Sequence, residues 1–457
     1  MKLKVNAKLD SGFMPMALVC RDMREATVND GQDIIIAIER NQGYTYVYKT
    51  RIYKDNIGHD EENFKFIDRI TKALLWVAGG YKITVAGSKV VGEYVKNTFC
   101  HGGTRDFDAR FMEKVYERPF EVVLCDLQNA PEEKSSAAPI GRHLDGCRIG
   151  FDAGGSDRKV SAVVNGETVY SEEVVWFPKI NSDPNYHYEG ILSAMKTAAS
   201  HMPRVDAIGV SSAGVYIDNK IMVASLFIKV NDEDFEKKVK NMYIDVAREI
   251  GENIPIEVAN DGDVTALAGA MSLEDNGILG IAMGTSEAAG YVDMDGNITG
   301  WLNELAFVPV DYNENAARDD WSGDYGVGSR YFSQDAVIKL APFAEIDLDE
   351  NLSPAEKLKV VQALMKEGDE RARAIYETLG AYFGYSLAFY AEFYDIKQVL
   401  IMGRVTSGEG GEILLNKARE VIAIEFPELN KRITLNIPDE KARRVGQSVA
   451  AASLPRI

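Results

Sequence analysis

Gly150-Phe151-Asp152-Ala153-Gly154-Gly155-Ser156 is the stretch on which the fold turns. Residues 148–152 read as a strand that ends on an acidic side chain, and two glycines then reverse the chain. Glycines let backbone N–H groups come close to phosphate oxygens, and the Ser156 hydroxyl adds a donor. Asp152 is placed to hold a hydrated Mg²⁺, an ion that keeps most of its waters and asks for one or two carboxylates. The same pattern is equally the mark of a plain hairpin, so its meaning depends on what accompanies it.

Working outward, residues 159–164 and 168–176 are strand-like and are joined through Asn165-Gly166. An Asn-Gly pair between such runs predicts a tight hairpin, because both residues tolerate positive φ. A helix over 188–200, a strand over 207–210, a long helix over 232–250 and a strand over 256–258 follow. Residues 277–293 then restart the theme with a buried strand, a Gly-Thr turn and a second strand, which suggests an internal duplication.

Three further motifs carry chemistry. In Val258-Ala259-Asn260-Asp261-Gly262-Asp263 a short strand delivers an Asn-Asp pair to the helix-like stretch 264–271. An Asp in that place can take the proton of an attacking hydroxyl, and its bland alternative is an N-cap. Gly280-Ile281-Ala282-Met283-Gly284-Thr285-Ser286 offers a second phosphate cradle. The run from Val399 to Gly408 is a buried strand entering a turn bounded by Gly403 and Gly408, which can pack against an adenine ring before the helix at 412–424.

The order of these motifs resembles the ROK family of actin-like sugar kinases, which groups repressors, open reading frames and kinases. The likeness runs roughly from Arg148 to the C-terminus. It implies an α/β, actin-like ATPase (ribonuclease H-like) two-lobed fold behind an extra α+β N-terminal domain, and phosphorylation of a hexose or related sugar by ATP with Mg²⁺. By that resemblance Asp152, Gly154, Gly155 and Ser156, with Lys159, hold the terminal phosphates, and Gly284 and Thr285 form the second phosphate loop. Gly403 and Gly408 border the adenosine. Asp261 is the base, Asn260 contacts the acceptor, Ser212 lines its pocket and Glu304 accepts from sugar hydroxyls.

Departures from the family pattern accompany the likeness. Phe307 stands where the family has a His that touches the sugar and ligates zinc, and no His or Cys follows His201. No zinc is expected, and the loop 321–331 is expected to fold by packing instead. Glu287 follows the second phosphate turn, where an acid beside phosphates needs a Mg²⁺ or Lys neighbour.

Residues 1–128 read as a mixed N-terminal domain: strands at 34–38, 44–53, 83–86 and 120–125, helices at 63–77, 89–98 and 108–116. Residues 129–147 have the composition of a linker, 148–275 form the first lobe and 276–457 the second. Cys100-His101 reads as local packing, His187 as a cap, a surface residue or an acceptor contact, and the aromatic series from Tyr382 to Tyr394 as core.

The chain has 457 residues, enough for two or three domains, and its 46% apolar and 26% charged composition is that of a globular protein. A net charge of −19 disfavours nucleic acid and anionic membranes, which demand clustered Lys and Arg. Cys20, Cys100, Cys125 and Cys147 lack CxxC spacing, and neither a signal core nor a membrane-length apolar window is present, so a cytoplasmic setting is expected. A homodimer is compatible with the resemblance. The alternative is a non-catalytic sugar or nucleotide sensor on the same fold. A DNA-binding version has little support, since the N-terminal residues show no recognition helix. An ATPase of the chaperone or cytoskeletal kind is disfavoured by the Asn-Asp pair and Glu304.

Overall fold

The computed structural model describes residues 2–135, 140–437 and 440–457, without the side chains of 440–445. Residues 136–139 of the expected linker lie outside the described residues. Two compact units are present, each assembled from several stretches. The first comprises Ala137–Gly280, Gly290–Thr299 and Pro438–Ile457; the second comprises Met1–Ser136, Ile281–Ala289 and Gly300–Ile437.

The first unit is built on a five-stranded sheet in the order Ile256–Asn260, Ala207–Ser212, Cys147–Ala153, Asp157–Val164, Glu167–Val175. The first three strands are parallel and the last two extend the sheet as antiparallel hairpins. Every residue of Cys147–Ala153 is buried, as a mid-sheet strand covered on both faces requires. The predicted hairpin is present, with Asn165 at φ 49° and Gly166 at φ 86°.

Gly150 and Gly209 lie side by side in register on neighbouring strands. A Cβ on Gly150 would stand 1.8 Å from the Ser448 carbonyl oxygen, and one on Gly209 would stand 1.6 Å from that of Ala451. The two glycines thus form a slot into which the C-terminal helix Glu440–Ala452 settles, backbone against sheet, and the Ser448 hydroxyl completes the contact 2.7 Å from Ser161 Oγ.

One expected element is broken. The single helix predicted over 232–250 is instead the turn Asp232–Asp234, a wider π-helical turn Phe235–Val239, and the helix Met242–Ile250. The physical reason is a partner outside the helix: the Lys240 carbonyl accepts from Ile221 N at 2.9 Å and is diverted from the helical ladder.

A four-stranded sheet in the order Glu287–Val292, Ile278–Met283, Gln398–Met402, Thr434–Asn436 repeats the order of the first sheet without its outermost hairpin strand. This is the duplication anticipated from the two similar openings. In the second unit, helix Glu370–Tyr390 is buried along nearly its whole length and carries most of the aromatic series, which is core as read. Its Gly380 and Gly384, one turn apart, let helix Glu409–Glu425 approach until added methyls would strike the carbonyls of Leu414 and Ala418.

The N-terminal residues form a four-stranded sheet, Thr45–Tyr53, Gly31–Glu39, Lys82–Ala86, Glu121–Cys125, with helices Asp60–Ala78, Lys89–Thr98 and Asp106–Tyr116. These elements match the predicted ones within a few residues. Helix Met16–Ala26 was not anticipated; its buried residues Met16–Cys20 run consecutively and give no helical alternation to read.

Candidate active site

The three parallel strands of the first unit end together. Register pairs Ala153 with Ser212 and Ser212 with Asn260, so residues far apart in sequence share one sheet edge, at the carboxyl ends where open α/β sheets bind ligands.

Asp152 is buried, and its Oδ1 accepts from Ser211 Oγ at 2.9 Å. Burial pushes its carboxyl up to about 6, opposed by that hydrogen bond and by Lys159, with Asp261 and Asp157 adding to the rise. Lys159 faces Asp152 across the hairpin, 4.0 Å from its Oδ2 and 3.1 Å from Asp157 Oδ1. Beyond the strand, Trp176 Nε1 donates to the Gly154 carbonyl at 2.7 Å and fixes the turn, while Gly155 and Ser156 stay exposed.

The exposed Lys179, which the sequence reading did not single out, lies over this turn. A Cβ on Gly155 would be 3.0 Å from its Nζ, and its charge also acts on Asp261. Lys179 follows Pro178 in a short 3-10 turn with no motif around it, so only the folded chain brings it to the glycines.

Asp261 is the first residue of helix Asp261–Leu273, and the N-cap is Asn260. The alternative of Asp261 as the cap is thereby corrected: Asn260 Oδ1 accepts from Gly262 N at 2.7 Å, and its Nδ2 donates to the Gly214 carbonyl at 2.7 Å. Asp261 is half-buried, and desolvation raises its carboxyl above the usual range, opposed by the backbone amides of residues 262 and 261 and by Lys179. The first turn is pinned from below. A Cβ on Gly290 would lie 2.1 Å from the Gly262 carbonyl carbon, and Asp263 Oδ1 accepts from Tyr291 N at 3.1 Å. Ser212 is fully buried and its hydroxyl accepts from Tyr243 Oη at 3.0 Å.

The remaining expected site residues belong to the second unit. Thr285 Oγ1 accepts from Arg404 Nη2 at 2.6 Å, and Arg404 is another residue the sequence reading passed over. Gly403, at φ 104°, is held so close to the neighbouring strand Ile278–Met283 that a Cβ would meet the Met283 carbonyl oxygen at 2.3 Å. The Gly284-Thr285 turn and the Gly403–Gly408 turn are thus a single assembly. Gly408, at φ 76°, opens helix Glu409–Glu425 with nothing against it.

Glu287 needs correction. Its carboxyl is turned inward and buried, 3.5 Å from Tyr390 Oη, with Oε2 unpartnered. Burial pushes it up to about 8, the Tyr390 hydroxyl opposing and Glu304 adding to the rise, a direction that favours the uncharged acid over a carboxylate in need of a cation.

Glu304 is half-buried, and its backbone N–H donates to the Trp76 carbonyl at 2.9 Å. Phe307 is buried with its ring centroid 4.3 Å from that of Trp76 and 5.1 Å from that of Trp321. The loop after it was expected to fold by packing; the packing is joined by a buried ion cluster, in which Arg69, Lys72 and Arg105 surround Asp324.

His187 is neither cap nor surface residue. It is fully buried, with its ring nitrogens 3.0 to 3.2 Å from the carbonyls of Asp183, Pro178 and Leu226. Cys100 Sγ donates to the Asn97 carbonyl, and His101 Nε2 is 2.8 Å from Glu113. Among the described residues no group of three or more His, Cys, Asp or Glu could hold a metal ion, and no described helix is long and apolar enough to cross a membrane.

Comparison with solved structures decides the fold. A ROK hexokinase from Thermus thermophilus superposes with a TM-score of 0.51 at 17% identity, covering 67% of this chain and 97% of its own. The fold is that of the ROK proteins. A ROK family transcriptional regulator, a homologue of the E. coli Mlc protein, matches with a TM-score of 0.50 at 18% identity, covering 68% of this chain and 79% of its own. The ROK fold thus hosts kinases and regulators alike, and identities this low speak of fold alone. About a third of this chain is additional to the ROK fold. No family model matches the chain, and no curated protein matches it.

Proposed function

We propose that this chain is an ATP-dependent kinase of a small hydroxylated acceptor, most simply a hexose, acting with Mg²⁺ in the cytoplasm and binding no nucleic acid or membrane. The observation that carries the reading is Asp261: a half-buried carboxylate of raised basicity, beside a glycine turn, under the influence of a lysine that also overlies that turn. A base and a cation serving the same small space fit the transfer of a phosphoryl group to an alcohol.

In this reading the exposed amides of Gly155 and Ser156 receive terminal phosphate oxygens, and Lys179 neutralises charge that an acidic chain otherwise repels. Asp152, with Lys159 beside it, has the burial and the single-carboxylate chemistry to hold Mg²⁺, which when bound would offset charge on the phosphates. Asp261 takes the proton from the acceptor hydroxyl as its oxygen bonds to the γ-phosphorus, and the bond from that phosphorus to the bridging oxygen breaks to leave ADP. Glu304 would accept hydrogen bonds from acceptor hydroxyls, while Gly284, Thr285, Gly403 and Gly408 would receive the nucleotide.

The test is a panel of sugars and polyols assayed for acceptor-dependent ADP release with Mg²⁺, on the natural chain and on Asp261→Asn. Near-normal turnover by Asp261→Asn removes this carboxylate from the mechanism. One observation favours a second reading, a sugar or nucleotide sensor: the Asn260 amide is already committed to Gly262 and Gly214, and Ser212 to Tyr243, which leaves few groups for the acceptor. Tight sugar binding without turnover across the panel would support it.

A further inference from the structure

The four carbonyls at the end of an α-helix have no partner within the helix and must find one elsewhere. In helix Asp60–Ala78 they do so in an orderly way. The Leu75 carbonyl accepts from Gly79 N at 3.0 Å, and the next three accept from consecutive amides of a distant segment: Trp76 from Glu304 N at 2.9 Å, Val77 from Asn303 N at 3.0 Å, Ala78 from Leu302 N at 3.3 Å. Arg40 Nη1 adds a bridge, reaching the Ala78 carbonyl at 3.3 Å and the Gly300 carbonyl at 3.0 Å. Beyond Glu304 the Phe307 ring packs on Trp76.

The helix is itself held rigidly. Trp76 Nε1 donates to Asp108 Oδ1 at 2.6 Å, and Lys72 Nζ donates to the same oxygen at 2.8 Å. Lys72 lies 3.4 Å from Asp324, which Arg69 and Arg105 each approach to 2.8 Å. Arg105 also clasps Asp68. These groups are buried, and apart from the unpartnered Arg69 Nε their charges are paired with one another, which restricts the cluster to few arrangements. The same cluster therefore fixes the helix and the loop that follows Phe307.

We propose that the N-terminal region is a working part of the acceptor site: the end of helix Asp60–Ala78 sets where Glu304 stands, and Trp76 is the positioning residue. The inference rests on reading Glu304 as the acceptor-binding carboxylate. Trp76 touches no reacting atom. It acts through the Glu304 backbone and the Phe307 ring, and a displacement of about 1 Å at such a residue costs on the order of 100-fold. The region supplies by protein contacts an order that this stretch has no metal ligands of the His or Cys type to obtain.

The test compares the full-length natural chain with Trp76→Leu and Trp76→Phe, using the sugar that the panel identifies as a ligand. Calorimetry measures sugar and ATP binding separately, and hydrogen exchange follows the amides of residues 302–304. Trp76→Leu should bind the sugar about 10-fold or more weakly, keep ATP affinity within about twofold, and exchange the three amides faster; Trp76→Phe, which keeps an aromatic ring against Phe307, should recover most of the sugar affinity. Unchanged sugar affinity despite faster exchange overturns the proposal, as does equal weakening of both ligands. If Trp76→Leu does not fold, the double variant Trp76→Phe/Phe307→Leu, which loses the ring-on-ring contact, is read in its place by the same criteria. Sugar binding without turnover would sink the kinase reading and leave this one standing, whereas a panel in which no sugar binds sinks this one.

Discussion

Asp152 and Glu287 are both acids beside glycine-containing turns, and the structure treats them oppositely. Asp152 stands next to last in its strand, at the carboxyl edge of the sheet, where Ser211 and Lys159 partner it, and burial lifts it only to about 6. Glu287 begins its strand just after the turn, points into the interior, and is lifted to about 8 with one oxygen unpartnered. An acid is partnered at a sheet edge or shut into the interior according to what the fold sets around it. Adjacency to glycines in sequence does not decide which of the two it becomes.

The sharpest way to break this contrast is at the first turn. Asp261→Asn should lower turnover by about 10³-fold with little change in ATP affinity, checked by steady-state kinetics and nucleotide titration. Asp152→Asn should cost about 10²-fold in kcat/KM. In the natural chain, apparent Mg²⁺ affinity should fall as pH drops below about 6, because a proton then competes for the Asp152 carboxylate.

Glu287→Gln should leave turnover nearly unchanged, and its effect belongs to stability. The folded value near 8 lies above the unfolded value of about 4.3, so the folded state retains a proton that the unfolded state has lost. This group therefore lowers stability progressively as pH rises from about 4 to about 8. Glu287→Gln should flatten that decline, by on the order of 5 kcal/mol at pH 8, measured by denaturant unfolding across the range. An unaltered pH dependence would show that the acid is ionised in the folded chain.

The smallest effects concern cations. Lys179→Ala, at the first turn, should raise the KM for ATP by about 10-fold, and Arg404→Ala, which frees the Thr285 hydroxyl at the second, by about threefold. The reverse order would mean that the second turn carries more of the phosphate charge than the first.

Much of this was legible in the residues. The Asn165-Gly166 hairpin, the strand ends at Asp152 and Asn260, and the repeated openings follow from local rules, because positive φ, apolar runs and turn glycines act over a few residues. What escaped were features made by distant partners. The break near Lys240 depends on a strand amide at Ile221, the inward turn of Glu287 on Tyr390, and the position of Lys179 on the path of a turn without a motif.

By itself the sequence determined the strand-and-turn order of a duplicated ATPase-like fold, its acidic surface, and which residue types could meet a phosphate. Only the tertiary structure decided that Asn260 and not Asp261 caps the helix, that Gly150 and Gly209 make room for the C-terminal helix, and that helix Asp60–Ala78 completes its last hydrogen bonds on residues 302–304. The reason is that hydrogen bonds and close contacts between residues hundreds of positions apart are properties of a packed interior, and no local pattern encodes which orphan carbonyl will meet which amide.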